Sequence, residues 1–216
     1  MSNQLQGKVV AITGGDQGIG RGIAERLARD GADIALCYRA NKAGADKVVA
    51  GIEAIGRKAA AIQCDVGKIS DGQRFIAEAA AQLGKIDILV NNAGLERHAD
   101  FWDVTEADYD AVLNVNLKGL FFITQAFVRH RKELKNGGKV INVSSVHEEL
   151  PFPHFTSYCA SKGGVKMITR NLSIELAPLG ITINNIAPGA IETPINKKLL
   201  NDPVKLNALL SNIPLI

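Results

Sequence analysis

Short, continuously apolar runs alternate along this chain with longer segments whose apolar residues recur every three or four positions. Runs that stay apolar at consecutive positions and are rich in Val and Ile are typical of strands buried on both faces. The segments with the longer period predict amphipathic helices between those strands. We predict strands over residues 8–13, 33–38, 59–63, 86–91, 139–143 and 181–186.

The predicted helices fill the intervals between the strands, and most of them end close to a glycine. We predict helices over residues 18–30, 43–55, 70–83, 106–135, 157–179 and 204–210. Strands that alternate with helices in this way predict an α/β fold of the Rossmann type. Such a fold has a doubly wound parallel sheet between two layers of helices.

The 216 residues contain no linker, repeat or low-complexity tract, so we expect one domain over residues 1–216. The net charge of +3 is dispersed, without the concentrated basic patch that a nucleic-acid surface needs. No apolar run approaches the roughly 18 residues of a membrane span. Cys37, Cys64 and Cys159 lack the spacing of metal ligands and indicate reduced thiols. We therefore expect a cytoplasmic protein without a metal, a membrane anchor or a nucleic-acid partner.

A glycine-rich turn, Thr-Gly-Gly-Asp-Gln-Gly-Ile-Gly at 13–20, lies between the first strand and the first helix. Glycine permits a tight turn and lets a phosphate approach the backbone, and the N–H groups that open a helix attract an anion. The spacing G-x-x-x-G-x-G differs from the commoner G-x-G-x-x-G. The turn predicts a dinucleotide site, with an unliganded turn as the alternative. Its expected contacts are Gly14, Gln17, Gly18, Ile19 and Gly20.

The end of the second strand bears on the choice of nucleotide. An acidic residue there would hold the ribose 2′-hydroxyl of NAD, but this chain has Tyr38 followed by Arg39, and we expect these two residues to contact the nucleotide. A guanidinium suits the 2′-phosphate of NADP. The sequence therefore favours NADP, while NAD stays possible because no negative charge excludes either nucleotide. An ordinary solvated Arg39 is the alternative.

Tyr158 and Lys162 are four residues apart in a predicted helix, so both side chains lie on one face. A free phenol has a pKa of about 10 and is a weak base near neutrality. A neighbouring cation would favour the phenolate, and we expect Lys162 to lower the pKa of Tyr158. The pair is a candidate general acid/base, with an ordinary Tyr and Lys on a helix surface as the alternative.

Taken together, these motifs resemble those of the short-chain dehydrogenase/reductases over nearly the whole chain. The resemblance implies hydride transfer between NAD(P) and a substrate on a Rossmann fold. It rests on the turn at 13–20, Asn91-Asn92-Ala93-Gly94, Asn116, Ser145, Tyr158, Lys162 and Pro188-Gly189.

The resemblance also implies a role for each of these side chains. Tyr158 would act as the acid/base, and Lys162 would tune the phenol and hold the nicotinamide ribose. Ser145 would hydrogen-bond the reacting oxygen, and Asn116 would support a water-linked proton relay.

Further residues are implied to line the cofactor cleft. Asp65 and Val66 would contact the adenine. The others are Asn92, Ala93 and Gly94 along the cleft, and Pro188, Gly189, Ile191 and Thr193 near the nicotinamide.

Within the family, the segments 144–148 and 184–195 resemble the glucose 1-dehydrogenase branch, which oxidises D-glucose at C1 to the lactone. Glu96, His147 and Asn196 are then the candidate substrate contacts. His147 as a solvated loop residue and Glu96 as part of a subunit contact stay open. Another aldose or a polyol is equally compatible with these residues.

Two other functions stay open: a carbonyl or 3-oxoacyl reductase of the same family, and a catalytically silent NADP-binding regulatory module. Family members continue with a further helix and strand that we do not find after residue 210. In the family the two long helices, here 106–135 and 157–179, commonly form a dimer interface. We expect a homo-oligomer, a tetramer if the tail exists.

Overall fold

Six parallel strands form one sheet. The computed structural model describes residues 4–193, 200–211 and 213. The strands are β1 (Val9–Thr13), β2 (Asp33–Tyr38), β3 (Ala59–Gln63), β4 (Ile88–Asn91), β5 (Gly138–Val143) and β6 (Ile181–Ile186). Their order is β3-β2-β1-β4-β5-β6, and all neighbours are parallel. The predicted doubly wound fold is confirmed, and the predicted element ends differ from those observed by a few residues.

Helices cover both faces of this sheet. They are α1 (Gly18–Arg29), α2 (Lys42–Glu53), α3 (Ile69–Leu83), α4 (Glu106–Leu113), α5 (Leu120–Glu133), α6 (Thr156–Glu175) and α7 (Pro203–Leu210). Consecutive strand residues point to opposite faces. Val10 and Ile12 therefore pack with α1 and α2, whereas Ala11 packs with α3 and α5. Because both faces are covered, all of β1 is buried, which explains its unbroken apolar sequence.

The predicted helix over 106–135 is interrupted, which corrects the sequence-based boundary. A π-helical segment, Asn114–Gly119, separates α4 from α5. Gly119 lies against the loop after β3, where an added Cβ would be 2.2 Å from the carbonyl oxygen of Val66. The wider turn also directs the side chain of Asn116 into the interior. One extra residue in a turn leaves the apolar pattern almost unchanged, so the sequence did not reveal it.

The stretch Glu106–Glu133 is long and apolar enough to cross a membrane by length and composition. In this fold, however, Ile123 and Phe127 are buried in the core cluster that they share with α3 and the sheet. We therefore interpret the stretch as a core helix of the α/β domain.

The chain winds outward from β1 to β3 and then returns to place β4 on the other side of β1. In open parallel sheets a ligand crevice forms outside the carboxyl ends of the strands where this reversal occurs. Each predicted site segment follows the carboxyl end of a strand. These segments are 14–20 after β1, 38–39 at the end of β2, 65–66 after β3, 92–96 after β4, 144–148 after β5 and 188–193 after β6.

Candidate active site

The turn after β1 is built for close approach of a ligand to the backbone. Gly14 and Gly18 have positive φ angles of 63° and 54°. At Gly20 an added Cβ would lie 2.1 Å from the carbonyl oxygen of Gly14. The side chain of Gln17, the residue before α1, makes no capping hydrogen bond, and the first turn of α1 contains no acidic residue. The first N–H groups of α1 are therefore suited to an anion.

A second strand end holds this turn in place. The side-chain amide of Asn92 donates to the carbonyl oxygens of Thr13 (3.0 Å) and Gly14 (2.9 Å). The backbone N–H groups of Asn92 and Ala93 donate to Thr13 Oγ1 at 2.9 and 3.0 Å. Asn92 therefore shapes the phosphate turn, because both of its amide hydrogens are committed to that turn. Gly94 leaves open space beside it, since an added Cβ would have no neighbour closer than 3.8 Å.

The two residues at the end of β2 are placed differently. The side chain of Tyr38 is buried in the core cluster with α1 and α2, so the prediction that it contacts the nucleotide is not supported by its position. Arg39 is exposed, and its carbonyl oxygen accepts a hydrogen bond from Gln63 Nε2 at 3.0 Å. Arg39 follows the carboxyl end of β2 directly, and its role towards a ribose phosphate stays a prediction.

The adenine side of the cleft follows β3. Asp65 Oδ1 accepts from the N–H of Gly67 at 3.1 Å, and the N–H of Asp65 donates to Asp71 Oδ2 at 3.1 Å. That backbone hydrogen bond is the main cause that lowers the pKa of Asp71. Val66 is buried in the core next to it. The loop is thus rigidly held, with the Asp65 side chain partly exposed.

The carboxyl end of β5 and the first turns of α6 bring together Ser145, Tyr158 and Lys162. Lys162 Nζ donates to the carbonyl oxygen of Val143 at 2.8 Å and lies 5.6 Å from the centre of the Tyr158 ring. The Ser145 hydroxyl lies near enough to the Tyr158 phenol to lower its pKa, and Ser145 Oγ accepts from the N–H of His147 at 3.2 Å. Lys162 and Ser145 are each only 5% exposed. The Ser145 hydroxyl, the Tyr158 phenol and the Lys162 ammonium group are therefore neighbours.

Burial controls the charges of this group. It lowers the pKa of Lys162 from 10.5 to about 8, and the nearby Glu148 carboxylate opposes that change. Burial also raises the pKa of Tyr158; the hydrogen bond with Ser145 lowers it, and the charge of Glu96 raises it further. Our prediction that Lys162 lowers the pKa of Tyr158 is therefore wrong for the protein without a bound nucleotide, in which the pKa of Tyr158 is raised. The desolvation of the phenol, which helical spacing does not reveal, is the largest cause of this shift.

Asn116 ties three elements together. Its Oδ1 accepts from the N–H of Leu95 at 2.7 Å, and its Nδ2 donates to the Leu95 carbonyl at 2.8 Å and to Ser161 Oγ at 3.0 Å. Ser161 in turn donates to the carbonyl oxygen of Tyr158 at 2.7 Å. The Asn116 side chain therefore fixes the loop after β4 against α6. The water-linked relay stays a prediction.

Two side chains outside the predicted set complete this scaffold. Thr13 accepts the backbone hydrogen bonds that join the loops after β1 and β4. Ser161 connects the π segment to α6. The available signals were weak: Thr13 is the one hydroxyl in an otherwise apolar strand, and Ser161 lies one turn from Tyr158 on the same helix face.

Glu96 and His147 adjoin the phenol. The ring of His147 lies 6.5 Å from that of Tyr158 and stacks on Phe152 at 4.2 Å. Its Nδ1 is 3.2 Å from the carbonyl oxygen of Leu150. Burial raises the pKa of Glu96, and the charge of His147 opposes that rise. The two predicted substrate contacts therefore lie beside Tyr158. Asn196 lies outside the described residues.

The loop after β6 passes beside the same group. The N–H of Val146 donates to the carbonyl oxygen of Pro188 at 3.1 Å, which joins this loop to the turn that begins at Ser145. Gly189 has open space around it. Ile191 is 46% exposed, and Thr193 is the last residue described before the gap.

Comparison with known proteins identifies the family. A protein-family model described as short chain dehydrogenase matches residues 8–203 of this chain. A 3beta-hydroxysteroid dehydrogenase 1 from Eggerthella lenta is 40% identical over 203 residues, 94% of this chain and 78% of that protein. A glucose 1-dehydrogenase from Gluconobacter oxydans is 37% identical over 217 residues, 99% of this chain and 80% of that protein.

Among solved structures, a short chain dehydrogenase from Burkholderia cenocepacia in complex with NADP is 41% identical, with a TM-score of 0.85. The match covers 89% of this chain and 78% of that one. The chain therefore belongs to the short-chain dehydrogenase family, and its fold and family were both predicted correctly from the sequence.

The residues around the crevice fit a dinucleotide. The turn at Gly14 and Gly20 leaves little room for side chains, and α1 presents its N-terminus to it. The loop at Gly94 is joined to this turn by Asn92 and to α6, which carries Tyr158, by Asn116. A nucleotide held there would extend from Arg39 to the candidate reacting group.

Replacing Gly20 by Ala should weaken nucleotide binding by at least about tenfold, because a Cβ there would displace Gly14 and Asn92. Calorimetric titration with NADP measures this loss, and circular dichroism checks the fold. Gly22→Ala is the matched control, since an added Cβ at Gly22 meets nothing within 4 Å. Equal affinities for NADP in both variants would contradict this assignment of the turn.

Proposed function

We propose that this protein is an NADP-dependent dehydrogenase that oxidises a sugar hydroxyl, most specifically D-glucose at C1 to the lactone. The observation that carries the proposal is the meeting of Ser145, Tyr158 and Lys162 beside Glu96 and His147. The similarity to the Gluconobacter oxydans glucose 1-dehydrogenase supports the choice of substrate.

The proposed chemistry assigns one task to each group. The nicotinamide, when bound, accepts the hydride. The Tyr158 oxygen takes the hydroxyl proton, and the Ser145 hydroxyl hydrogen-bonds the reacting oxygen. Because burial raises the pKa of Tyr158, the phenolate needs positive charge close by, which Lys162 supplies.

The side chains beside the phenol offer hydrogen-bonding groups. The Leu150 carbonyl can only accept, so His147 Nδ1 carries a proton towards it, and Nε2 is the ring nitrogen that could bind a substrate hydroxyl. An ionised Glu96 carboxylate is an acceptor. Both suit the several hydroxyl donors of a sugar. Stacking on Phe152 holds the His147 ring in position.

A second candidate has its own support. Phe152 and Phe155 stack at 4.1 Å beside His147 and add apolar ring surface near the pocket. The Eggerthella lenta relative is named a hydroxysteroid dehydrogenase. Oxidation of an apolar ring alcohol, or the reverse reduction of a carbonyl or 3-oxoacyl group, is therefore the alternative. A catalytically silent module is a third possibility, which the activity screen below would reveal.

Tyr158→Phe should lower kcat for NADP-dependent sugar oxidation by about 10²- to 10⁴-fold, because the hydroxyl proton loses its acceptor. The rate is measured as NADPH absorbance over a panel of glucose, other aldoses, polyols, ring alcohols and 3-oxoacyl compounds. Tyr109→Phe is the control, since Tyr109 is 47% exposed on α4. A nucleotide-binding protein that is inert towards every sugar but oxidises a ring alcohol would contradict the sugar assignment.

Arg39→Ser should raise the KM for NADP by roughly tenfold to a hundredfold, because a charge-assisted hydrogen bond to the 2′-phosphate is lost. The KM for NAD, which lacks that phosphate, should stay within about twofold and serves as the internal control. An equal change for both nucleotides would refute the proposed role of Arg39.

We also propose that two copies associate through the long helices, with a tetramer if the tail exists. Leu113, Leu117, Phe121, Phe122 and Ile168 line an apolar groove beside the π segment. On α6, Met167 and Ile174 are 61% and 77% exposed. The three free cysteines are consistent with a cytoplasmic location, which we propose as well.

Ile174→Glu should shift the protein towards monomer, because a charge would enter the proposed apolar contact. Light scattering coupled to size exclusion measures the mass. Ile55→Glu, at a 49% exposed site after α2, should leave the mass unchanged. A wild-type protein that stays monomeric at about 100 times the assay concentration would refute the contact.

A further inference from the structure

Five polar side chains form a continuous chain of hydrogen bonds across the sheet and beneath α6. Asn91 Nδ2 donates to Asn142 Oδ1 at 2.9 Å, and Asn142 Nδ2 donates to Thr169 Oγ1 at 2.9 Å. The single hydroxyl hydrogen of Thr169 has two acceptors, Asn185 Oδ1 at 2.5 Å and the Val165 carbonyl oxygen at 2.9 Å. Asn185 Nδ2 donates to Glu148 Oε2 at 3.2 Å, so the chain ends on a carboxylate.

This chain has one direction, and Glu148 sets it. An ionised carboxylate only accepts, so Asn185 must face it with the amide nitrogen and present its oxygen to Thr169. The Thr169 oxygen then accepts from Asn142. Asn91, Asn142 and Thr169 are buried, so each donor needs its partner inside the protein. The chain therefore fixes the carboxylate of Glu148 in one place.

Glu148 belongs to the turn that follows β5, the strand to whose end Lys162 is bonded. Glu148 closes the short turn that begins at Ser145, and its N–H donates to the Ser145 carbonyl at 2.9 Å. Thr169 and Lys162 lie two turns apart on the buried face of α6. Lys162 donates to the carbonyl oxygen of Val143, the last residue of β5, which comes directly before that turn.

We propose that Glu148 is a positioning residue that keeps Lys162 protonated beside Tyr158, and that the chain from Asn91 to Asn185 holds its carboxylate in place. This role rests on the proposed dehydrogenase function. Lys162 needs such a partner because burial lowers its pKa to about 8, and Glu148 is the charged group that opposes this change in the described part of the chain.

The other groups around Lys162 do not replace that carboxylate. Tyr158 lies one turn away on α6, and β5 offers only the neutral Val143 carbonyl. Glu96, from the loop after β4, acts on Tyr158 and is itself influenced by His147. On the remaining side, Asn116 of the π segment is uncharged. Next along the turn, Glu149 is ion-paired with Lys166, so its charge is used elsewhere.

The experiment measures the protonation of Lys162 directly in the nucleotide-free protein. Lysine labelled with ¹³C at Cε reports Nζ protonation by NMR. The spectra are recorded from about pH 6 to about pH 10, a range that brackets the expected titration of Lys162. The signal that is absent from the spectrum of Lys162→Arg is assigned to Lys162. Glu148→Gln keeps the shape and removes the charge, so the Lys162 midpoint should move below the wild-type value. Glu149→Gln, the matched control, should leave it unchanged.

Activity provides a second readout. If oxidation needs the ammonium, the alkaline limb of kcat/KM should move to lower pH in Glu148→Gln. At pH 8 the loss should be about threefold or more, because less Lys162 is then charged, and near pH 6.5 it should be less than about twofold. Glu149→Gln should retain the wild-type profile.

Asn185→Ala is a second variant that tests the same contact. It removes the hydrogen bond to Glu148 without altering the turn that carries Glu148. It should move the Lys162 midpoint in the same direction by a smaller amount. If Glu148→Gln does not fold, Asn185→Ala decides the matter. A wild-type midpoint in the folded variant, or an equal shift in Glu149→Gln, would overturn the proposal.

The two proposals fail separately. An unchanged Lys162 midpoint in a protein whose sugar oxidation still depends on Tyr158 would overturn the role of Glu148 alone. A shifted midpoint in a protein that oxidises no sugar would support Glu148 as the partner of Lys162 and overturn only the substrate.

Discussion

The buried ammonium of Lys162 is the interaction on which the candidate site depends. Its hydrogen bond to the Val143 carbonyl fixes α6 to the end of β5 and sets Tyr158 beside Ser145. A pKa that falls from 10.5 to about 8 corresponds to about 3 kcal/mol of less favourable protonation than in water. Because of that cost, the charge of Lys162 depends on the groups around it. One of these groups is the Glu148 carboxylate, which accepts a hydrogen bond from Asn185 of β6.

The parallel sheet explains how so many separate segments meet there. All six strands run in one direction, so their carboxyl ends open onto one edge. Thr13 and Asn92 join the turn after β1 to the loop after β4, and Asn116 joins that loop to α6. The phosphate turn and the phenol are thus parts of one rigid edge, which is what a dinucleotide spanning them would require.

Much of this could be predicted from the sequence because the signals are local. Unbroken apolar runs such as that of β1 mark strands covered on both faces, and the glycines at 14, 18 and 20 mark a tight turn, in which Gly14 and Gly18 have positive φ and Gly20 has no room for a side chain. The spacing of Tyr158 and Lys162 places both on one helix face. The remainder depends on contacts between distant segments. The π turn at Asn116, the burial of Tyr38, the raised pKa of Tyr158 and the Asn185–Glu148 contact are all set by tertiary packing.

The most direct measurement is a crystal structure of the protein with NADP bound. We expect the pyrophosphate on the N–H groups of α1 and the Tyr158 hydroxyl directed at the nicotinamide, with Lys162 still bonded to the Val143 carbonyl. A crevice filled by side chains, or a Tyr158 hydroxyl turned away from the bound nucleotide, would contradict the assignment of this site.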